Sequence, residues 1–198
     1  SIFLGCSNNN STSFYEKLNT SASVSTSQPS IGYVMEAWDK LLEEYDQIVF
    51  IPMSSGLSKT YDTTSRLAEN EYPGKVFVVN NQRISVTLRQ SVLDAIELVK
   101  KGFDGAKIKE VLEKVKFESD IYIMVDTLKY LKKGGRITPA AAAVGNLLKI
   151  KPILQIKGEK LDKHSMMNRT LENAKRIMIE AIKESINGFL AYDGNTEN

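Results

Sequence analysis

An α/β fold is predicted by three features of the sequence. Two continuous apolar runs, Ile48-Val49-Phe50-Ile51-Pro52-Met53 and Lys75-Val76-Phe77-Val78-Val79, have the composition of buried parallel strands. Each is followed by residues at helical spacing, which gives the strand, helix, strand, helix order of a βαβ unit. Beyond residue 117 the order changes to strand, helices and a hairpin, so the chain is expected to divide into two units near residues 117–120.

The elements follow in order. Sixteen of the first 30 residues are Ser, Thr or Asn, a turn-forming composition, and only Phe14 to Leu18 reads as helical there. From Ile31 the residues Val34, Met35, Trp38, Leu41 and Leu42 recur at three and four, which predicts an amphipathic helix ending near Tyr45 with Trp38 in the core. Pro52 ends the first strand, and the next helix is expected to begin near Leu57. Pro73-Gly74 turns the chain into the second strand, and Ile84 to Val99 supplies another helix. Asp104-Gly105 opens a helix over Ile108 to Val115, and Ile121 to Val125 forms a strand. Leu128 and Leu131 belong to a short helix closed by Gly134-Gly135, and Pro139 starts one running to about Leu148. Ile153 to Ile156 and Glu159 to Leu161 read as a hairpin turning at Lys157-Gly158. A helix from about Thr170 to Ser185 and a last apolar stretch, Phe189 to Tyr192, complete the series.

The chain has 198 residues, of which 42% are hydrophobic and 25% charged, ample for a packed core. No apolar run approaches the length of a membrane-spanning helix, and the opening residues lack the pattern of a signal peptide. A soluble, cytoplasmic protein is expected. The formal net charge of +2 does not call for nucleic acid, and little aromatic material is interleaved with the basic residues. One cysteine and one histidine, Cys6 and His164, leave no disulfide within the chain, no usual zinc constellation and a single histidine as candidate base.

Four segments can carry chemistry. Ser54-Ser55-Gly56-Leu57-Ser58 follows a buried strand and precedes a helix, the place where open α/β sheets bind anionic groups. Capping of the helix by Ser54 or Ser55 explains the same residues. Gly56-Leu57-Ser58-Lys59-Thr60 lacks the glycine spacing of a phosphate loop, and Ser55 lacks the flanking glycines of a hydrolase elbow. Thr26-Ser27-Gln28-Pro29-Ser30 offers hydroxyls and an amide around a rigid proline, or a helix cap in a polar loop. Residues 127–158 contain Lys129, Lys132, Lys133, Arg136, Lys149, Lys151 and Lys157 and no Asp or Glu, so they suit either an anionic surface or a solvated helical face. Arg169 stands near the start of the last long helix, where a cation opposes the dipole; pairing with Glu172 is one reason and a partner is another. His164 reads as a loop residue.

Taken together, these segments resemble the DegV family of fatty-acid-binding proteins, acyl carriers for a bacterial fatty-acid kinase. The resemblance rests on Thr26 to Ser30, on Ser54 to Tyr61, and on Asp126 to Leu154 with Leu128-Lys129-Tyr130-Leu131-Lys132-Lys133-Gly134-Gly135-Arg136-Ile137 and Gly145-Asn146-Leu147-Leu148-Lys149-Ile150-Lys151-Pro152. It implies a Rossmann-like parallel-sheet domain over 1–118 with carboxylate-binding loops, and a smaller α/β domain over 119–198 with the basic Gly-Gly-Arg segment. One long-chain fatty acid would lie between them, its carboxylate held by Thr26, Ser27, Ser54 and Ser55, with no catalytic residue, metal or cofactor. A kinase subunit would phosphorylate that carboxylate, docking at Arg169, and the basic block would make transient contact with an anionic membrane at the inner leaflet. The family's opening strand with its Asp-Ser-Thr loop, and its closing strand-helix region with a histidine, have no counterpart in this sequence, so both domains are expected to be incomplete here. Asn80-Asn81 stands where the family has Asp followed by Ser or Thr. Two other classes remain: a small acyl hydrolase or transferase using Ser55 with His164, and a non-catalytic module that binds anionic lipid through the basic block.

Overall fold

The computed structural model describes residues 27–143, 150–165 and 170–190. Helix α1 (Ile31–Leu42) is capped by Ser30, whose hydroxyl accepts from the Tyr33 amide at 3.3 Å. It buries Val34 and Trp38 against strands β1 (Ile48–Phe50) and β2 (Val76–Val78), which pair in parallel with Phe50 opposite Val78. Helix α2 (Thr60–Glu71) makes the crossover between them. Trp38 is the centre of this layer, edge-on to Phe50 and to Tyr72, each at 5.4 Å between ring centroids.

Side chains of a strand alternate between faces, and the two faces here have separate cores. Ile48 and Phe50 pack with α1 and α2, whereas Val49 and Ile51 join Val79, Ala95, Ile108 and Leu112 under helices α3 (Ser85–Lys100) and α4 (Gly105–Lys114). The result is helix, sheet, helix in three layers. Asp104 caps α4, accepting from the Lys107 amide at 2.8 Å, and Gly105 lies so close to the Phe77 ring that a side chain has no room there.

Strands β3 (Ile121–Met124), β4 (Ile153–Ile156) and β5 (Leu161–Ser165) form an antiparallel sheet in that order, with β4 central. Ile121, Ile123, Leu154, Ile156 and Leu161 share one face, joined by Leu128, Ile137 and Ala141 from the region of helices α5 (Lys129–Gly134) and α6 (Pro139–Ala143). Leu57 and Ile84, from loops beside the parallel sheet, complete this cluster. The opposite face carries Tyr122 and Gln155, and helix α7 (Leu171–Leu190) covers it: Ser185 hydrogen-bonds Tyr122 at 2.8 Å and Asp120 at 2.8 Å.

Several expected boundaries move. Strand β1 ends at Phe50 rather than at Pro52, because β2 ends opposite it and Pro52 has no amide to extend the ladder. Helix α2 begins at Thr60 rather than near Leu57. His164 lies on β5, not in a loop, since β4 offers a full-length partner and the strand continues to Ser165. Phe189 and Leu190 continue α7 rather than opening a strand. The expected helix at 14–18 and the ends of the 139–148 helix and of the 189–192 stretch fall outside the described residues.

Candidate functional site

The C-terminal ends of β1 and β2 run on side by side as two irregular loops. Val79 N donates to Phe50 O at 2.9 Å, and further out Ser54 N donates to Arg83 O at 3.0 Å, so residues 54 and 83 are fastened backbone to backbone. Ser54 O then accepts from Leu57 N at 2.9 Å and Ser58 N at 3.1 Å, closing a turn before α2 starts. Neither Ser54 nor Ser55 caps the helix: Lys59 is its N-cap and makes no side-chain cap bond, while Ser58 Oγ accepts from Thr60 N at 3.2 Å. The loop geometry is therefore set from elsewhere.

It is set by the β4–β5 turn. Ser54 is 1% exposed and its hydroxyl donates to Glu159 O at 2.7 Å, across 105 residues of sequence. A Cβ on Gly56 would stand 2.5 Å from that same carbonyl oxygen, so glycine is what allows the two backbones to touch. Gln82 Nε2 donates to Glu159 Oε1 at 3.3 Å, and Arg136 Nε donates to Leu57 O at 3.2 Å from the other side. Ser54 thus has a partner inside the protein. Ser55 does not: its Oγ is buried and has no hydrogen-bond partner.

The loop after β2 has the same character. Asn81 is fully buried, with its Oδ1 accepting from Arg83 N at 3.2 Å and its Nδ2 unpaired. Gln82 holds a left-handed φ of 53°, a conformation that a non-glycine residue adopts only where its surroundings enforce it, and its Oε1 is unpaired. Arg83 is 6% exposed and donates to Ser91 Oγ at 3.2 Å and to Val115 O at 2.6 Å, yet its Nε lacks an acceptor. Burial lowers the Arg83 pKa from its ordinary value, while the charges of Asp94 and Glu118 act to raise it. Buried polar atoms are ordinarily satisfied, so five unsatisfied ones along two joined loops make this the candidate site.

Of the residues singled out from sequence, Ser54 and Ser55 stand on this loop, Ser27 is exposed, and Thr26 and Arg169 fall outside the described residues. Gln28, the neighbour of Ser27, hydrogen-bonds Thr63 at 3.1 Å, which brings the Ser27 to Ser30 segment to the first turn of α2. No hydrogen bond among the described residues joins Ser27 to Ser54 or Ser55. The basic block is partly engaged: Lys151 pairs with Asp126, Lys157 lies 3.6 Å from Asp120, and Arg136 holds loop carbonyls. Lys129 and Lys133 stand exposed on α5 beside Tyr130. His164 packs edge-on against Tyr122 at 4.9 Å and makes no described bond to the Ser54–Ser55 loop. Sequence reasoning named Asn81 only as a departure from the family pattern and missed Gln82, Arg83 and Glu159; for the loop residues the available signal was four polar side chains in a row directly after a buried apolar run.

A family model described as "Uncharacterised protein, DegV family" matches residues 6–193. The chain belongs to the DegV family. A DegV domain-containing protein of Deinococcus radiodurans is 39% identical over 138 residues, covering 70% of this chain and 49% of the relative. One from Staphylococcus aureus is 31% identical over 176 residues, covering 86% and 61%. The DegV chain therefore spans about half to three fifths of the length of these relatives. Among solved structures, a DegV protein from Thermus thermophilus whose description gives fatty-acid binding is 29% identical, with a TM-score of 0.82 over 93% of this chain and 66% of its own. A fatty-acid-binding DegV protein from Streptococcus agalactiae is 26% identical, with a TM-score of 0.80 over 91% and 65%. The α/β class expected from the sequence is thus the fold of the DegV family. No described helix is long and apolar enough to cross a membrane, and no described group of acidic, histidine and cysteine side chains is arranged to hold a metal.

Proposed function

We propose that this chain binds one long-chain fatty acid, with the carboxylate at Ser55 and the alkyl chain in the apolar cluster that runs from Leu57 and Ile84 to the antiparallel sheet. The observation that carries this reading is the Ser55 hydroxyl, buried without a partner on the loop that follows a parallel strand, two residues before Leu57 of that cluster. The relatives of similar fold that bind fatty acids support it. A hydroxyl supplies a neutral donor that leaves the carboxylate reactive, while each buried methylene of the tail contributes ~0.8 kcal/mol. The family resemblance adds Thr26 and Ser27 as further hydroxyls for the carboxylate, and Ser54 shapes the loop by holding Glu159.

In this reading the chain is a carrier with no catalytic residue and no cofactor, built of a domain over 1–118 and another over 119–198. It presents the carboxylate to a separate kinase subunit, which docks at Arg169 and forms the acyl phosphate. The carrier works in the cytoplasm and collects its ligand at an anionic membrane surface through Lys129, Lys132 and Lys133. Native mass spectrometry of the protein purified from bacteria, followed by denaturing extraction, tests the carrier role. A fatty acid at about one per chain, reduced in Ser55→Ala, is the expected result; a protein that is empty and refuses added palmitate overturns the reading.

A further inference from the structure

Arg83 is a buried cation with no ion pair among the described residues. Its guanidinium is anchored at two corners, to Ser91 on α3 and to the carbonyl of Val115, the C-cap of α4, and neither partner is charged. Asp94 and Glu118 act on it only at a distance, since neither is among the ion pairs of the described residues. A charge removed from water costs several kcal/mol unless an opposite charge meets it. Nε of Arg83 is buried and has no acceptor, and Nδ2 of Asn81 two residues earlier is buried and unpaired as well. The Arg83 carbonyl is itself bonded to Ser54, the residue before the unpaired Ser55 hydroxyl. Three unpaired donor atoms and one positive charge with no ion pair among the described residues therefore lie on two loops that are fastened together, a supply of donors and charge that suits an anion, with the unpaired oxygens of Asn80 and Gln82 left to water.

We propose that Arg83 is the counter-charge of the bound carboxylate and, with Ser55 and Asn81, selects ionised fatty acids over neutral lipids of the same chain length. This rests on the fatty-acid reading above and adds to it a charge on the protein side. The recognition is the charge-assisted kind, in which an N–H of a cation meets a carboxylate oxygen and is about twice as strong as a neutral hydrogen bond. Lysine retains the charge at this position, whereas methionine retains only the length and apolar stem.

The test is the affinity of the full-length protein for palmitate and for hexadecanol, measured by displacement of a fluorescent acyl probe in wild type, Arg83→Met and Arg83→Lys. Wild type is expected to prefer palmitate by roughly tenfold or more. Arg83→Met should lose that preference while keeping its affinity for hexadecanol, and Arg83→Lys should retain part of it. If Arg83→Met does not fold, the wild-type ratio decides: equal affinities for the two lipids overturn the counter-charge and leave the carrier intact. An undiminished preference in Arg83→Met has the same meaning, with water satisfying Nε. A protein that takes neither lipid overturns both.

Discussion

Ser54 and Ser55 are adjacent, yet removing each hydroxyl should have opposite consequences. Ser54→Ala leaves the Glu159 carbonyl short of its donor and is expected to cost about 1 kcal/mol or more in a urea titration. Ser55→Ala removes a buried hydroxyl that has no partner, so stability should hold or rise slightly while fatty-acid retention falls. The sequence could not separate the two, because the partner that distinguishes them comes from the other sheet. Tyr72 gives a residue-scale prediction on pH. Burial first, then its hydrogen bond to Asp39, raise its pKa from 10.0 to about 12. A raised value in the folded state means that the unfolded chain ionises first. The stability that Tyr72 lends is complete below pH 10 and is lost as pH rises toward 12, and Tyr72→Phe should flatten that decline in melts taken across this window.

At the scale of elements, the apolar runs made the strands legible and the periodicity made α1, α3 and α4 legible, because those signals are local. The start of α2 was not, since the residues from Ser54 to Lys59 are held as a turn by contacts from residues 136 and 159. Strand β5 was read too short for the same reason: Asp162 and His164 are polar, and only pairing with β4 makes them strand. Capping is local, so its effect can be stated in advance. Asp104→Ala should cost about 1 kcal/mol through loss of the bond to Lys107 N, seen as a shift of the denaturation midpoint with an unchanged slope. Helix α5 has the reverse character, with exposed Lys129 and Lys133 contributing little to the fold. Reversing both charges to Glu is expected to leave the melting curve alone and weaken cosedimentation with anionic vesicles at low salt. Unchanged sedimentation would remove α5 from the membrane contact.

For the whole molecule, the decisive arrangement is the apolar face of the antiparallel sheet turned toward the loops of the parallel one. Leu154 is fully buried in the cluster that also holds Leu57, so it serves both sheets. Leu154→Ala should cost about 2–5 kcal/mol by calorimetry and should also lower fatty-acid occupancy, because it removes apolar surface from the cluster proposed to hold the tail. Ligand retention unchanged in a folded Leu154→Ala protein would place the tail elsewhere. None of this arrangement was visible in spacing or composition, which report on one strand or helix at a time. It was implied only by the resemblance, carried by residues 26–30, 54–61 and 126–154.

The closeness of Gly56 to Glu159 also binds two distant parts of the gene to a common history. Any side chain at position 56 requires the 157–160 turn to withdraw, and any lengthening of that turn presses on position 56. The two stretches are therefore expected to vary together: a library randomised at 56 alone should return glycine, and one randomised at both should return larger residues only alongside a reshaped turn.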